Sequence, residues 1–489
     1  MVDKNGKNNN HKAHEKVGPD TMNRPPNFKG WLEILLAIAA IIIIPLFFAI
    51  RSQAGQTANT NIQPVSGTGT PPGVIFASPP LSTPTVALPT AAPVAANGKE
   101  PPPCTFPLVQ IKTVASTSEN YTFSGPQVAL TAPKGNFYHI IQWIPDNQQV
   151  LITEDLLGSY VYQNNTVPQQ SISLYNAVTG ASKVYAIRPE EFQDSPAWNP
   201  ALSAVVYPAT NYTSIDKAHH TGQFTRQLWI SHGDPNAVQK LADNLSPFSF
   251  GIKPDGSQMI YRSGNKISGL DKSLKSIPSI SFDPTQWDYA KNRRNSLPIS
   301  FEMAWQPGTS LVFLYSEGAN LGGGYTFILN ADTGKVCELN LGGWAEFAHW
   351  SSDGRYLAIV RSVNYTFPTF SAELTVLDTV TGKLEVLHII PQQIKGGHYA
   401  NDFAWAPDNR HLLAIGEIYT TPNTPEQFGL YLIDSASDQG SNVTPAYKFY
   451  TSLPQSIAWS PDGSKVAVLC PPGGAVNQIC LISVQKSEQ

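Results

Sequence analysis

The chain has 489 residues, a formal charge of −4 and only 14% charged residues, so no basic field exists for a nucleic-acid partner. The length allows two or three domains, and 41 Pro with 36 Gly fits turn-rich β structure.

Residues 1–30 are polar and Asn-rich. Lys4, Lys7, Lys12, Lys16, Arg24 and Lys29 outnumber Asp3, Glu15 and Asp20, and no periodic apolar face is present. This predicts a disordered cytoplasmic tail. Trp31–Ile50 is nearly all apolar, with Glu33 at its edge. At about 1.5 Å per residue it spans roughly 30 Å, one bilayer core. Cations precede it and only Arg51 follows closely, so the positive-inside rule predicts a single-pass cell-membrane protein with a cytoplasmic N-terminus and an extracytoplasmic remainder. A cleaved signal peptide is the rival reading, because Ser52-Gln53-Ala54 is a small-x-small site. The length of the apolar run and of the preceding region favours an uncleaved anchor. Residues 51–103 are rich in Pro, Thr and Ala, with no charge between Arg51 and Lys99. They predict an extended extracytoplasmic stalk.

Past the stalk one sentence recurs. In its fullest form it is Trp459-Ser-Pro-Asp-Gly463 followed by Lys465-Val-Ala-Val-Leu469. Pro presets the first central position of a turn, Asp suits the second, and Gly accepts the positive φ that follows. Copies centre on Trp143, Trp198, Ile252, Trp305, Trp350 and Trp405, which gives seven at spacings of 55, 54, 53, 45, 55 and 54. A period near 50 with a fixed aromatic and a fixed turn indicates a propeller. Each copy continues into two further strands joined by an Asp/Asn-x-x-Thr-Gly turn, as at Asp378–Gly382 and Asn330–Gly334. The last copy lacks its fourth strand. The closing region 104–135, through Leu108–Ile111 or Val128–Thr131, is expected to supply it. The prediction is an all-β, seven-bladed β-propeller of four-stranded antiparallel blades over 104–489, preceded by one transmembrane helix and a Pro-rich stalk. Six blades plus an irregular cap is the alternative, since the third copy lacks its Trp.

The four cysteines all follow the apolar run. Cys470 and Cys480 bracket a short loop between consecutive strands and are disulfide candidates, with two buried thiols as the alternative reading. Cys104 and Cys337 pair only by elimination. No metal-ligand spacing occurs, and neither metal nor cofactor is expected.

The Trp-Ser-Pro-Asp-Gly repeat resembles that of TolB-type, WD-like β-propellers, over roughly residues 136–485. Trp459–Gly463 matches fully; Trp350–Gly354 and Trp405–Asn409 match closely. The resemblance implies the fold and little about function. This chain has an anchor and stalk where TolB has an α/β domain, so TolB's partners are not carried over.

Length accumulates in the second-to-third-strand connections, read as loops at Asp155–Gln170, Thr210–Arg226, Gly318–Gly324, Val363–Ser371 and Ile418–Phe428, and in the linker Ser281–Ser300. These carry Tyr160, Tyr162, Tyr212, Trp287, Tyr289, Arg293, Tyr365 and Tyr419, a set suited to binding a protein or glycan outside the cell. Solvated loops with no role are the alternative. No Gly-x-Ser-x-Gly, P-loop, EF-hand or His-Glu-x-x-His occurs, and no catalytic residue is nominated. His219-His220 with Asp216 reads as a solvated loop feature, and His349 as a packed strand residue. The expected function is a membrane-anchored binding or scaffold module for an envelope protein or glycan; the alternative is an extracytoplasmic propeller enzyme acting on polysaccharide or peptide.

Overall fold

The structure, a computed structural model, describes residues 101–108, 119–162, 165–189, 195–216, 221–246, 249–282, 301–316, 325–364, 371–387, 398–421, 424–444, 455–470 and 478–488. The tail 1–30, the run Trp31–Ile50 and the stalk up to residue 100 lie outside these residues. Among the described residues no helix is long and apolar enough to cross a membrane.

Seven antiparallel sheets follow one another along the chain, six of them four-stranded meanders. Blade 1 is Phe137–Trp143, Gln149–Tyr162, Asn165–Asn176 and Ser182–Pro189. Blades 2 to 6 begin at Ala197–Asn199, Phe250–Ile252, Glu302–Trp305, Trp344–Trp350 and His398–Trp405, and blade 7 at Ile457–Trp459. These first strands neighbour one another and form the inner wall of the ring.

The core lies between the blades. Seven separate clusters of buried apolar side chains each join one blade to the next, and Tyr138, Trp143 and Val150 with Ala458 and Leu469 close the circle from blade 7 to blade 1. The second strand of each blade therefore feeds two cores. Leu412 and Ala414 face blade 5, while Leu413 and Ile415 face blade 7. This explains why these strands read as continuous apolar runs such as Leu311–Tyr315, buried along their whole length, rather than as alternating ones.

The repeat's residues sew neighbours together. The indole Nε1 of Trp350 donates to Ala304 O (2.9 Å), that of Trp405 to His349 O (2.9 Å), and that of Trp143 to Ala458 O across the ring closure (3.0 Å). The acceptor is each time the residue before the preceding blade's Trp. Trp305 and Trp459 instead donate into their own turns, at Thr309 O and Gly463 O. The turn glycine is required twice over at Gly354. Its φ is +74°, and a Cβ there would stand 2.6 Å from Pro307 O of the preceding blade.

The ring closes at blade 7, where both N-terminal strands contribute. Glu119–Phe123 pairs with Val484–Glu488, and Gln127–Thr131 pairs with Gln478–Leu481, all on the single strand Gln478–Glu488. Tyr121 and Phe123 meet the Trp459 ring edge-on at 5.0 and 5.7 Å. Leu108 corrects the expectation for Leu108–Ile111: its N–H donates to Thr379 O in blade 5, far from the closure, and 109–111 lie outside the described residues.

A second correction concerns the connections read as loops. Strands continue through those of blades 1, 2 and 6, while Gly318–Gly324 and residues 283–300 and 365–370 lie outside the described residues. In blade 1 the ladder runs to Tyr162↔Asn165, in blade 2 to Asp216↔Thr221, and in blade 6 to Thr421↔Thr424. Tyr160, Tyr162, Tyr212 and Tyr419 are strand residues.

Candidate functional site: the hairpin face

The two faces of the ring differ in what their polar groups are occupied with. On one face lie the first and third turns of each blade, and these satisfy themselves. Asp462 Oδ1 accepts from the N–H and Oγ of Ser464 and from Ser460 Oγ, at 2.7–2.9 Å. Asn330 Oδ1 accepts from the N–H groups of Asp332 and Thr333. Arg355 pairs with Asp378 and Arg410 with Asp434, each joining the first turn to the third within a blade. Burial would raise both carboxyls, but the guanidinium bonds and turn N–H groups hold them below the usual carboxylate range.

The other face carries the second-to-third-strand hairpins. At about 3.3 Å per residue, the ladder beyond Asp155↔Gln170 in blade 1 extends for roughly 20 Å. Blade 2 is similar beyond Thr210↔Arg226. Blade 3 has only a tight turn closed at Ser263↔Lys266. Blade 7 is fastened at the base of its hairpin by the Cys470–Cys480 disulfide, Cα atoms 5.7 Å apart. Tall described hairpins thus belong to blades 6, 1 and 2, one arc of the ring with blade 7 inside it. Of the residues nominated from sequence, Tyr160 and Tyr162 lie on blade 1, Tyr212 on neighbouring blade 2 and Tyr419 on blade 6. Trp287, Tyr289, Arg293 and Tyr365 lie outside the described residues, as do His219 and His220.

Beneath these hairpins runs a buried polar chain that sequence reasoning did not single out. His139 Nε2 lies 2.9 Å from Asp155 Oδ2, and Gln170 Nε2 donates to Asp155 Oδ1 at 2.7 Å. Arg188 donates to Gln170 Oε1 through Nε and Nη2 (3.2 and 2.6 Å) and to Pro208 O of blade 2 through Nη1 (2.5 Å). Arg188 is 1% exposed and His139 4%. Burial pushes the Asp155 carboxyl up, but the bonds from His139 and Gln170 and the charge of Arg188 outweigh it and keep the group below the ordinary range. Gln455 Nε2 donates to Ser195 Oγ, linking blade 7 to blade 2 past the inner strand of blade 1.

Similar devices sit at the same end of other blades. Arg361 reaches Glu373 at 2.7 Å and donates to Leu341 O. Arg262 lies over Phe282 and Phe301 at 5.8 and 5.4 Å. Asp402, 3% exposed, accepts from the N–H groups of Phe403, Ser456 and Ile457 and from Ser456 Oγ. Its burial still pushes the carboxyl up to about 6. One signal was readable: an Arg ending an apolar run, as in Ala186-Ile-Arg188, Met259-Ile-Tyr-Arg262 and Leu357-Ala-Ile-Val-Arg361. His349 keeps solvent access yet sits edge-on to Phe403 at 5.3 Å, and desolvation holds its imidazole down at about 4, neutral at physiological pH. Among the described residues no group of three or more His, Cys, Asp or Glu is placed to hold a metal.

No family model and no curated protein matches the chain. Solved structures do. The Swd1 β-propeller domain of Myceliophteria thermophila aligns with TM-score 0.45 at 11% identity, over 74% of this chain and 100% of that one. The β-propeller domain of the trilobed protease of Pyrococcus furiosus aligns with TM-score 0.44 at 9% identity, over 77% and 96%. A structure described as putative TolB from Agrobacterium tumefaciens aligns with TM-score 0.35 at 14% identity, over 66% and 99%.

Proposed function

We propose that this protein is a membrane-anchored, extracytoplasmic β-propeller of the TolB type that binds an envelope protein or glycan on its hairpin face. The observation that carries the reading is the ladder extended past blades 1, 2 and 6. A paired hairpin holds its residues in a fixed relation to the ring, as a binding surface requires. Tyr, Thr and Asn recur in all three of those hairpins and offer contact area and hydrogen bonds. The two disulfides suit an oxidising compartment. Trp31–Ile50 supplies the anchor, by the sequence argument alone.

The test cuts two hairpins back to their blades. Asn-Gly replaces 157–168, joining the paired Leu156 and Gln169, and a second Asn-Gly replaces 212–224, joining the paired Asn211 and Thr225. The anchored protein and this variant are crosslinked in cells and their captured envelope proteins and glycans compared. The reading expects captures by the intact protein that the variant loses while retaining its melting temperature. Equal captures would remove the hairpin face as the working surface.

One observation favours the enzyme alternative. His139 with Asp155 is a His–acid pair on the hairpin face. The Asp155 side chain is 39% exposed, but the His139 ring is buried and the pair continues into buried Gln170 and Arg188, which weighs against direct contact of the imidazole with a substrate. Release of reducing ends or amines from envelope polysaccharide or peptide, abolished by Asp155→Asn, would establish the enzyme and displace the binding reading.

A further inference from the structure

The N-terminal segment touches the ring in two places. Residues 101–108 lie along the rim of blades 4 and 5. Pro103 forms a parallel bridge with Glu338 beside the outer strand Val336–Glu338. Glu338 N–H donates to Pro102 O, and Cys104 N–H donates to Glu338 O. Cys104 is bonded to Cys337 in that outer strand, Cα atoms 4.9 Å apart. Phe106 packs over the turn of blade 5 so closely that a Cβ on Gly382 would stand 2.6 Å from its ring. Only after this does the chain reach Glu119 and close blade 7.

The register of the closure makes that order matter. Glu119, the first residue of the closing strand, pairs with Glu488 at the far end of the C-terminal strand. Tension arriving along the chain from upstream would load this ladder at its end and open it one pair at a time. The same hydrogen bonds pulled in parallel would share the load. The closing strands of a propeller are the pieces whose loss re-exposes edges. Any pull from before residue 101 meets Cys104 first and passes through the covalent bond into blade 4.

We propose that the Cys104–Cys337 bridge is a mechanical latch that isolates the ring-closing strands from tension in the preceding chain. This rests on the reading that the residues before 101 tether the ring. The experiment pulls the full chain in optical tweezers, with one handle at the N-terminus and the other on the exposed Lys335 of blade 4, and compares the oxidised protein with Cys104→Ser/Cys337→Ser. The latch expects an additional low-force event in the variant, lengthening the chain by about 10 nm as some 30 residues through Thr131 peel away. The intact protein lacks that event. Hydrogen exchange without load is the companion measurement, and it expects equal protection of 119–131 in both proteins. Identical force traces overturn the latch. Loss of protection at 119–131 without load also overturns it, because the bridge is then a static brace. If the variant does not fold, the folded Cys470→Ser/Cys480→Ser protein, pulled before and after reduction in the trap, gives the same comparison. No membrane is involved, so failure here leaves the anchoring reading intact, and a chain that does not partition with membranes would remove the tether without altering the force traces, which tells the two failures apart.

Discussion

Replacing Arg188 with Met tests whether the buried polar chain holds blade 1 to blade 2. The guanidinium is 1% exposed and supplies three hydrogen bonds to two acceptors, Gln170 Oε1 and Pro208 O. Met fills a similar volume but donates nothing, so both acceptors stay buried without these donors. Each costs about 1–3 kcal/mol, and the apolar side chain recovers part of it, so the net loss is ~3 kcal/mol. At about 2.1 cal/mol/K per residue over some 370 residues, ~3 kcal/mol lowers the melting temperature by roughly 4 °C. Calorimetry on the full chain reads this directly. A double-mutant cycle with Asp155→Asn adds a sharper readout, because Arg188 helps keep Asp155 ionised. A coupling of about 1 kcal/mol or more is expected between groups sharing a network. A melting temperature within 1 °C of wild type, or strictly additive variants, would show that the chain is incidental.

Three further outcomes follow from the geometry. Gly308 and Gly354 both have positive φ, at +71° and +74°, but only Gly354 has backbone in the way of a Cβ. Ala at 308 should cost about 1 kcal/mol from backbone conformation alone, and Ala at 354 two to three times as much, measured as paired melting shifts. Trp405→Phe keeps the ring but loses the bond to His349 O, and should cost roughly 1 kcal/mol in the same assay. Asp402 titrates at about 6, above its unfolded value, so the folded chain takes up that proton first. Its stabilising share is complete below about pH 4 and is lost as pH rises through 6, on the order of 3 kcal/mol. Asp402→Asn should flatten that part of the stability–pH curve.

The ring was legible because one repeat carries three separate physical demands. Trp bonds to the neighbouring blade, the Pro-Asp-Gly turn needs its positive φ, and the following strand feeds two cores, so all three recur with the period. The hairpins were not legible as strands. Ser159–Tyr162 and Asn211–Asp216 show no sustained alternation of apolar and polar residues by which a strand announces itself. The polar chain was hidden for another reason. His139, Asp155, Gln170 and Arg188 come from four different strands and meet only through pairing register. A single charged residue ending an apolar run was the only trace, and nothing in the sequence says which partner it finds.

The placement of the strap bears on which part of the ring is left open. Seven blades in a circle put blade 4 opposite the junction of blades 7 and 1. The chain enters at the rim of blade 4, fixed there through Cys337, while the tall hairpins rise from blades 6, 1 and 2. The attachment and the hairpins therefore occupy opposite sides of the circle. A tether fixed beside the closure at blade 7 would crowd the hairpins and pull on the strands that complete the ring. Entry at blade 4 avoids both, at the expense of a covalent bond and a chain segment that must run back to blade 7. Within a propeller that length serves no core of its own. Its consequence is a hairpin arc that lies across the ring from the point where Cys104 is fixed to blade 4.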